Sequence, residues 1–447
     1  MPSRTRIQTA RADFLESSLY DDVGLVGLPR LSRGTFLTTL SRSFDLAEGR
    51  RPGHAQRVAY IGVSLAKEFA LPASQVEEIF FACLLHDVGM VSSNPGPRVE
   101  TGRGSRIVSG EACAADILAS MPTGGWAEVI EALTKHCEMG AQVAHKLHMT
   151  DAVASAVANH HDCWDRPDTS ATFAEMSPPI ITRITATADR VESIIDADGS
   201  PLLVRRQGPQ LVKEMAGSEV DPLTAEKMAN LAQSDDFWLG LYDNDMAGSL
   251  SESNYGGIMK PAELFEFAGV VADLIDTRNG RIAGRSRRVA NLARRLTLAC
   301  DMNEQRADLV KLAALLQDMG TMGIPPHFLS KPDILTIEEM DVIQLHPTYA
   351  RDILSEVPGL GAVSWWIGCH HERIDGKGYP GMLEGDEVTV EAQIVGIVDT
   401  YDALINERPY RHALPAGEAF EVLSGLRGTR FSPWLLDRFE SIVGPFD

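Results

Sequence analysis

The chain has 447 residues, of which 44% are apolar and 23% charged, and its net charge is −21. That length suits two or three domains with real cores, the composition is that of an ordinary globular protein, and the charge excludes a long nucleic-acid duplex as a natural partner. No apolar run reaches the roughly 18 residues that would cross a membrane, the opening MPSRTRIQTARADF lacks the apolar core of a secretory signal, and the six cysteines form no CxxC pair, so a cytoplasmic protein with reduced thiols is expected.

In chain order, residues 1–35 read as a loosely ordered extension. Helical signals follow. His54, Val58, Ile61, Leu65 and Phe69 recur every three or four residues and share one helical face. Ile79, Ala82, Cys83 and His86 repeat the pattern, with Gly89 as a stop. Between 90 and 136 lies SSNPGPRVETGRGS, rich in Gly, Ser and Pro and expected to be a loop or lid. Val153, Val157 and one of His160 and His161 resume the helical spacing. The histidines thus fall on apolar faces and point into a helical bundle. No strand pattern stands out, so the expected fold class is all-α. DNDMAGSLSESNYGG reads as a linker, which gives an extension (1–35), a first domain (36–235), a linker (236–260) and a second domain (261–447).

The two domains read as copies. GHAQRV (53–58) matches GRSRRV (284–289), and LLHDVG (84–89) matches LLQDMG (315–320), both at an offset of 231. His136 matches His346, the pair His160-His161 matches His370-His371, and Asp189 matches Asp399, all at an offset of 210. The first copy's insertion between 90 and 136 accounts for the difference. GSEVDP (217–222) and GTRFSP (428–433) are a last echo.

In the first copy the series is His54, His86-Asp87, His136, His160-His161 and Asp189. Imidazoles and carboxylates on inward helical faces suit iron, manganese, zinc or nickel. Adjacent residues such as His86 and Asp87 lie about 100° apart around a helix, so both reach the interior, and a carboxylate can bridge two ions. Two ions about 3.5–4 Å apart bind a phosphate, activate water and stabilise a leaving oxygen. Hydrogen-bonded core histidines would account for any one of these residues, but not for the whole set at repeated spacing.

The pattern H…HD…H…HH…D resembles the HD superfamily of metal-dependent phosphohydrolases. In the second copy HHERIDGKGYPG (370–381), LSKPDILTIEE (329–339), VDTYDAL (398–404) and NERPYR (406–411) resemble the HD-GYP subfamily. The resemblance covers roughly residues 36–235 and 261–447. It implies all-helical domains with two- or three-ion sites that hydrolyse cyclic dinucleotides, either cyclic di-GMP or the mixed cyclic GMP-AMP.

Each copy departs from the family pattern. In the second copy the first histidine is Arg285, the HD histidine is Gln317 and the following lysine is Thr321. Asp318, His346, His370, His371 and Asp399 remain as metal candidates, so at most one ion is expected there, with the fixed cation of Arg285 where the other would sit. Lys331, Gly378, Tyr379, Pro380, Arg408 and Arg411 are candidates for ligand contact. The first copy keeps the full series but has Met90 for the lysine and Arg166-Pro167-Asp168-Thr169-Ser170 in place of the GYP loop. Glu48 is either a third-ion ligand or, the favoured reading, a solvated charge at a helix end.

The leading expectation is a metal-dependent phosphodiesterase whose chemistry lies in the first copy. His54, His86, Asp87 and Asp189 would hold one ion and His136, His160 and His161 the other, with Asp87 bridging and Asp87 and His86 catalytic. Two divalent transition-metal ions, iron or manganese before zinc or nickel, would serve as cofactors. The substrate would be a cyclic dinucleotide or another small phosphoester, with no membrane partner. The two copies would pair as an internal pseudo-dimer, with a homodimer as an open alternative. A non-catalytic cyclic-dinucleotide sensor and a di-iron oxygenase are the competing functions.

Overall fold

A computed structural model describes residues 27–92, 98–101, 104–107, 126–162, 164, 178–198, 201–243, 246–251, 254–280, 284–407 and 411–444. The fold is all-α, with two compact units. One comprises residues 32–258; the other comprises residues 259–447 with the segment up to residue 31.

The first unit contains α1 (Arg33–Glu48), α2 (His54–Glu68), α3 (Ala73–Leu85), a 3-10 turn (Val88–Ser92), α4 (Trp126–Lys146), α5 (Asp151–Asn159), α6 (Ile180–Asp198), α7 (Pro201–Met215), α8 (Pro222–Leu231), α9 (Asp235–Leu241) and α10 (Met246–Ser251). The periodicity that begins at His54 is realised in α2, whose His54, Val58, Ile61 and Leu65 are all buried. Two sequence expectations need correction. A short antiparallel hairpin, β1 (Arg98–Thr101) with β2 (Gly104–Ile107), stands inside the insertion, where no strand was expected. Its four-residue strands are too short for a period-2 pattern to stand out. The stretch that reads as a linker carries α9 and α10, with Phe237, Trp238, Leu241, Met246 and Leu250 buried. Tyr60 on α2 donates to the carbonyl of Phe237 at 3.1 Å, and the indole of Trp238 donates to Ala232. Its polar residues mask this short apolar pattern.

The second unit contains α11 (Pro261–Arg278), α12 (Arg285–Ala299), α13 (Glu304–Leu316), a 3-10 turn (Met319–Gly323), α14 (Pro326–Leu329), α15 (Ile337–Ile343), α16 (His346–Ser355), α17 (Gly361–Gly368), α18 (Val390–Ile405), α19 (Ala416–Ser424) and α20 (Pro433–Val443). Trp365 and Trp366 on α17 are buried as core packing.

The repeat extends to details beyond the histidines. Asp45 accepts from the backbone N–H of Gly53 and Ala55, at 2.7 and 3.1 Å, and so fixes the start of α2. Asp276, 231 residues on, accepts from the backbone and hydroxyl of Ser286 and fixes the start of α12. Gly53 and Gly284 precede the two helices at φ 90° and 75°, a region that favours glycine. The GSEVDP and GTRFSP segments close the same turn: Gly217 donates to Val220 and Gly428 to Phe431, each at 2.9 Å.

Gly89 and Gly320 are equivalent contact points. A Cβ at Gly89 would overlap the carbonyl oxygen of His136 and come within 2.7 Å of the Gly140 nitrogen, and a Cβ at Gly320 would meet the His346 carbonyl and the Ala350 nitrogen in the same way. Gly89 was expected as a helix stop; its structural role is to let the turn after α3 press against the helix that carries His136. Backbone cannot move aside as a flexible side chain can. Gly89→Ala and Gly320→Ala are therefore each expected to cost at least about 3 kcal/mol, the upper range for overpacking, as measured by urea unfolding.

Candidate metal centre

Helix ends leave backbone carbonyls without partners, and this chain uses four of them to aim histidines. The Nδ1 of His86, just past α3, donates to Cys83 O at 2.7 Å, and that of His160, just past α5, donates to Val157 O at 2.7 Å. His346 uses Ile343 O in α15 at 2.8 Å, and His370 uses Ile367 O in α17. Each bond spans three residues, fixes the ring and leaves the lone pair on Nε2, the arrangement usual for a metal-bound imidazole.

In the first unit those lone pairs converge. Asp87 Oδ2 lies 3.1 Å from His86 Nε2 and 3.9 Å from His54 Nε2. Its other oxygen, Oδ1, lies 3.2 Å from His160 Nε2, 3.6 Å from His136 Nε2 and 3.7 Å from His161 Nε2. One carboxylate thus faces two groups of imidazoles. Asp189 Oδ1 is 3.5 Å from His86 Nε2 and, among the described residues, accepts no hydrogen bond although fully buried. His54 and His86 place their Nε2 atoms 3.2 Å apart, and His136 and His161 place theirs 2.9 Å apart. Facing lone pairs need a proton or a cation between them, and a buried orphan carboxylate oxygen asks for the same. The donor set fits divalent transition metals in two adjoining groups: His54, His86, Asp87 and Asp189, and His136, His160 and His161.

The electrostatics agree. Burial opposes ionisation of Asp87, but His86, His160 and Arg50 outweigh it and hold the carboxyl well below the usual range. Burial, with His160 and His136 close by, pushes His161 well below the ordinary imidazole range, which leaves it a neutral donor.

Three residues of this centre escape a ligand-spacing argument. Glu192, one turn beyond Asp189 on α6, takes His54 Nδ1 at 2.6 Å. Burial works against its charge, but His54 and Arg57 lower its pKa to about 2. The repeat holds the signal: Asp402 stands 210 residues later. Arg50 bonds Glu48 at 3.1 Å and Asp87 at 3.4 Å. Glu48 itself is buried, not the solvated helix-end charge expected for it; burial and the charge of Asp87 push its pKa up. Arg190 fixes the far side of Asp189 at 3.5 Å and donates to His161 O at 3.2 Å.

The second unit solves the same geometry differently. Arg285 donates to Asp318 Oδ2 at 2.7 Å and to Asp399, and its Nε lies 3.0 Å from Asp402 Oδ2. Gln317 donates to Asp399 Oδ1 at 3.0 Å. A guanidinium and an amide thus occupy the stations of His54 and His86. His346, His370 and His371 remain as a three-imidazole group, with His346 4.0 Å from Asp318. Tyr379 stacks on His371, ring centroids 4.9 Å apart. Gly378 packs where a Cβ would come within 2.5 Å of the Glu372 Cα, and Glu372 in turn accepts from the N–H of Leu383 at 3.0 Å. The Tyr379-Pro380 bond is cis. A cavity of about 350 Å³ opens over this group, lined by Arg285, His346, His371, Tyr379, Thr400 and Arg411 among others. Lys331 is on a larger neighbouring cavity of about 990 Å³ and is paired with Glu339 at 2.6 Å. Arg411 also donates to Ala403 O at 2.5 Å, while Arg408 lies outside the described residues.

Comparison with known proteins agrees with this geometry. Models described as HD domain match residues 51–194 and residues 269–435. The chain is a tandem HD-domain protein. Over 426 residues it is 25% identical to 3'3'-cGAMP-specific phosphodiesterase 3 of Vibrio cholerae, covering 89% of this chain and 91% of that one. It is 35% identical over 178 residues to a cyclic di-GMP phosphodiesterase of Thermotoga maritima, covering 39% of this chain and 48% of the relative. The crystal structure of a cyclic GMP-AMP-specific phosphodiesterase of Vibrio cholerae has the same fold, with a TM-score of 0.63 at 22% identity over 92% of this chain and 98% of that one. Among the described residues no helix is long and apolar enough to cross a membrane.

Glu192 gives a direct test of the donor set in this HD domain. Glu192→Gln keeps the size of the side chain but removes the charge behind His54. Metal affinity of the first unit is expected to fall about 10–100-fold, the usual cost of losing such an outer partner, in competition titrations with a chromogenic chelator.

Proposed function

We propose that this tandem HD protein is a metal-dependent phosphodiesterase for a cyclic dinucleotide and that its reaction takes place in the first unit. One observation carries the reading. Asp87 offers one oxygen to His54 and His86 and the other to His136, His160 and His161, whereas its counterpart Asp318 is bonded to Arg285. His54, His86, Asp87 and Asp189 would hold one ion, and His136, His160 and His161 the other, with Asp87 shared. Two divalent ions, when bound, neutralise phosphoryl oxygens and make water a nucleophile near neutral pH. The protein's part is to keep Asp87 and Asp189 ionised, His161 neutral and the imidazoles aimed. Arg190 holds Asp189 in place and Glu192 holds His54. The substrate class rests on the likeness to the cyclic-dinucleotide phosphodiesterases, and iron or manganese fits the mixed imidazole and carboxylate donors.

His86→Ala and Asp87→Asn should each lower hydrolysis of 3'3'-cGAMP or cyclic di-GMP by about 100-fold or more, the scale of losing one electrostatic contact to the transition state. His370→Ala should leave it near the wild-type rate. Activity lost with His370→Ala and kept with His86→Ala would overturn the assignment.

A second reading concerns the second unit alone. Its cavity of about 350 Å³ joins the cation of Arg411 and the ring of Tyr379 to a group with no more than three imidazoles, which suits retention of a nucleotide better than cleavage. Calorimetry on His86→Ala protein should then still detect cyclic dinucleotide binding with no product formed, and Tyr379→Ala on that background should abolish it.

A further inference from the structure

Cysteines in this sequence read as plain reduced thiols, and one of the described ones has a different setting from the others. Cys137 follows His136 on α4 and is buried. Its sulfur and the ring nitrogens of His136, His160 and His161 all lie within 4.8 Å of one another, and among the described residues no other cysteine joins such a group. Cys137 Sγ is 3.4 Å from His136 Nε2, the same nitrogen that faces His161 Nε2 at 2.9 Å. Donors on one tetrahedral ion, nitrogen at about 2.1 Å and sulfur at about 2.3 Å from it, stand about 3.5 Å apart. The sulfur is therefore already at ligand spacing from the imidazole next to it.

The repeat supplies an internal contrast. The residue 210 positions on is Pro347, in the first turn of α16 beside His346. Proline carries no donor there, so among the described residues the corresponding group of the second unit is His346, His370 and His371. The other described thiols have other surroundings. Cys83 faces the hydroxyl of Thr185 at 3.8 Å.

We propose that Cys137 is a thiolate ligand to the ion held by His136, His160 and His161, so that the first unit pairs a three-nitrogen, one-sulfur half-site with the carboxylate-rich half-site of His54, His86, Asp87 and Asp189. The inference rests on the first unit being a metal centre. Binding is an exchange of a proton for a cation: the S–H bond breaks, the proton goes to solvent, the sulfur–metal bond forms and no redox change is involved. Thiolate is a soft donor, so this half-site should prefer zinc or iron(II) to manganese, and the two halves should differ in the metal they select.

The full-length protein, stripped and reloaded with cobalt(II), reports the bond directly through a thiolate-to-cobalt charge-transfer band in the near ultraviolet. The band is expected in wild type, absent in Cys137→Ser and Cys137→Ala, and present in the Cys83→Ser control. Zinc affinity should fall about 10–100-fold or more in Cys137→Ser, at least the loss that an outer partner causes, with little change for manganese. Wild-type protein with cobalt bound at full stoichiometry and no such band would overturn the thiolate assignment alone, a result that needs no variant to fold. A band that survives Cys137→Ser would do the same. Failure of wild type to bind cobalt at all would overturn both this inference and the metal-centre reading beneath it.

Discussion

A buried carboxylate that faces no backbone donor and stays ionised needs a positive partner. Taking an ionised carboxylate out of water costs several kcal/mol, and attraction to a well-placed cation is what offsets it. Asp87 and Asp318 sit at the centre of equivalent helical bundles and are both buried. In the second unit the partner is a side chain of the protein itself: Arg285 pairs with Asp318, Asp399 and Asp402. In the first unit the nearest groups are imidazoles, and among the described residues only Arg50, at 3.4 Å, places a permanent charge on Asp87. The difference between the two units follows from that choice. A guanidinium is always charged, holds its acceptors in fixed directions and leaves no vacant orbital for a substrate oxygen. On the proposed reading the first unit leaves the place to ions, which can polarise a phosphate.

The residues that carry this contrast were legible as a ladder. Histidine and aspartate at repeated offsets show which positions converge, and the change from His54 to Arg285 shows where the copies part. The sequence does not show how the rings are aimed. The bonds from His86, His160, His346 and His370 to the carbonyl three residues back use backbone atoms, and backbone atoms have no letter in a sequence. Helix ends could have been inferred, because each of these histidines closes a short apolar run.

Other features were in the sequence but not in a ligand-spacing pattern. Asp45 with Asp276, Glu192 with Asp402, and Gly89 with Gly320 are matched pairs at the same two offsets as the histidines. They touch backbone or the rear of a ligand and so do not suggest chemistry by themselves. The hairpin at 98–107 and the short helices α9 and α10 were missed because their apolar positions are too few to set a period. Glu48 was misread for a different reason. Its position at the end of α1 suggests solvent, and only the tertiary fold brings Arg50 and Asp87 beside it.

The pair Glu192 and Asp402 shows how one plan tolerated both outcomes. His54 needs an acceptor behind Nδ1 so that Nε2 can face inward, and Arg285 needs negative charge on the side of Nε as well as at its two terminal nitrogens. The same station on the helix after the HH pair supplies a carboxylate for each. The longer Glu192 meets the shorter imidazole at 2.6 Å, and the shorter Asp402 meets the longer arginine at 3.0 Å. The longer side chain at one station thus faces the shorter at the other in each unit. On the proposed reading a guanidinium replaces an ion position in the second unit, where Tyr379 still stacks on His371 and three histidines still converge.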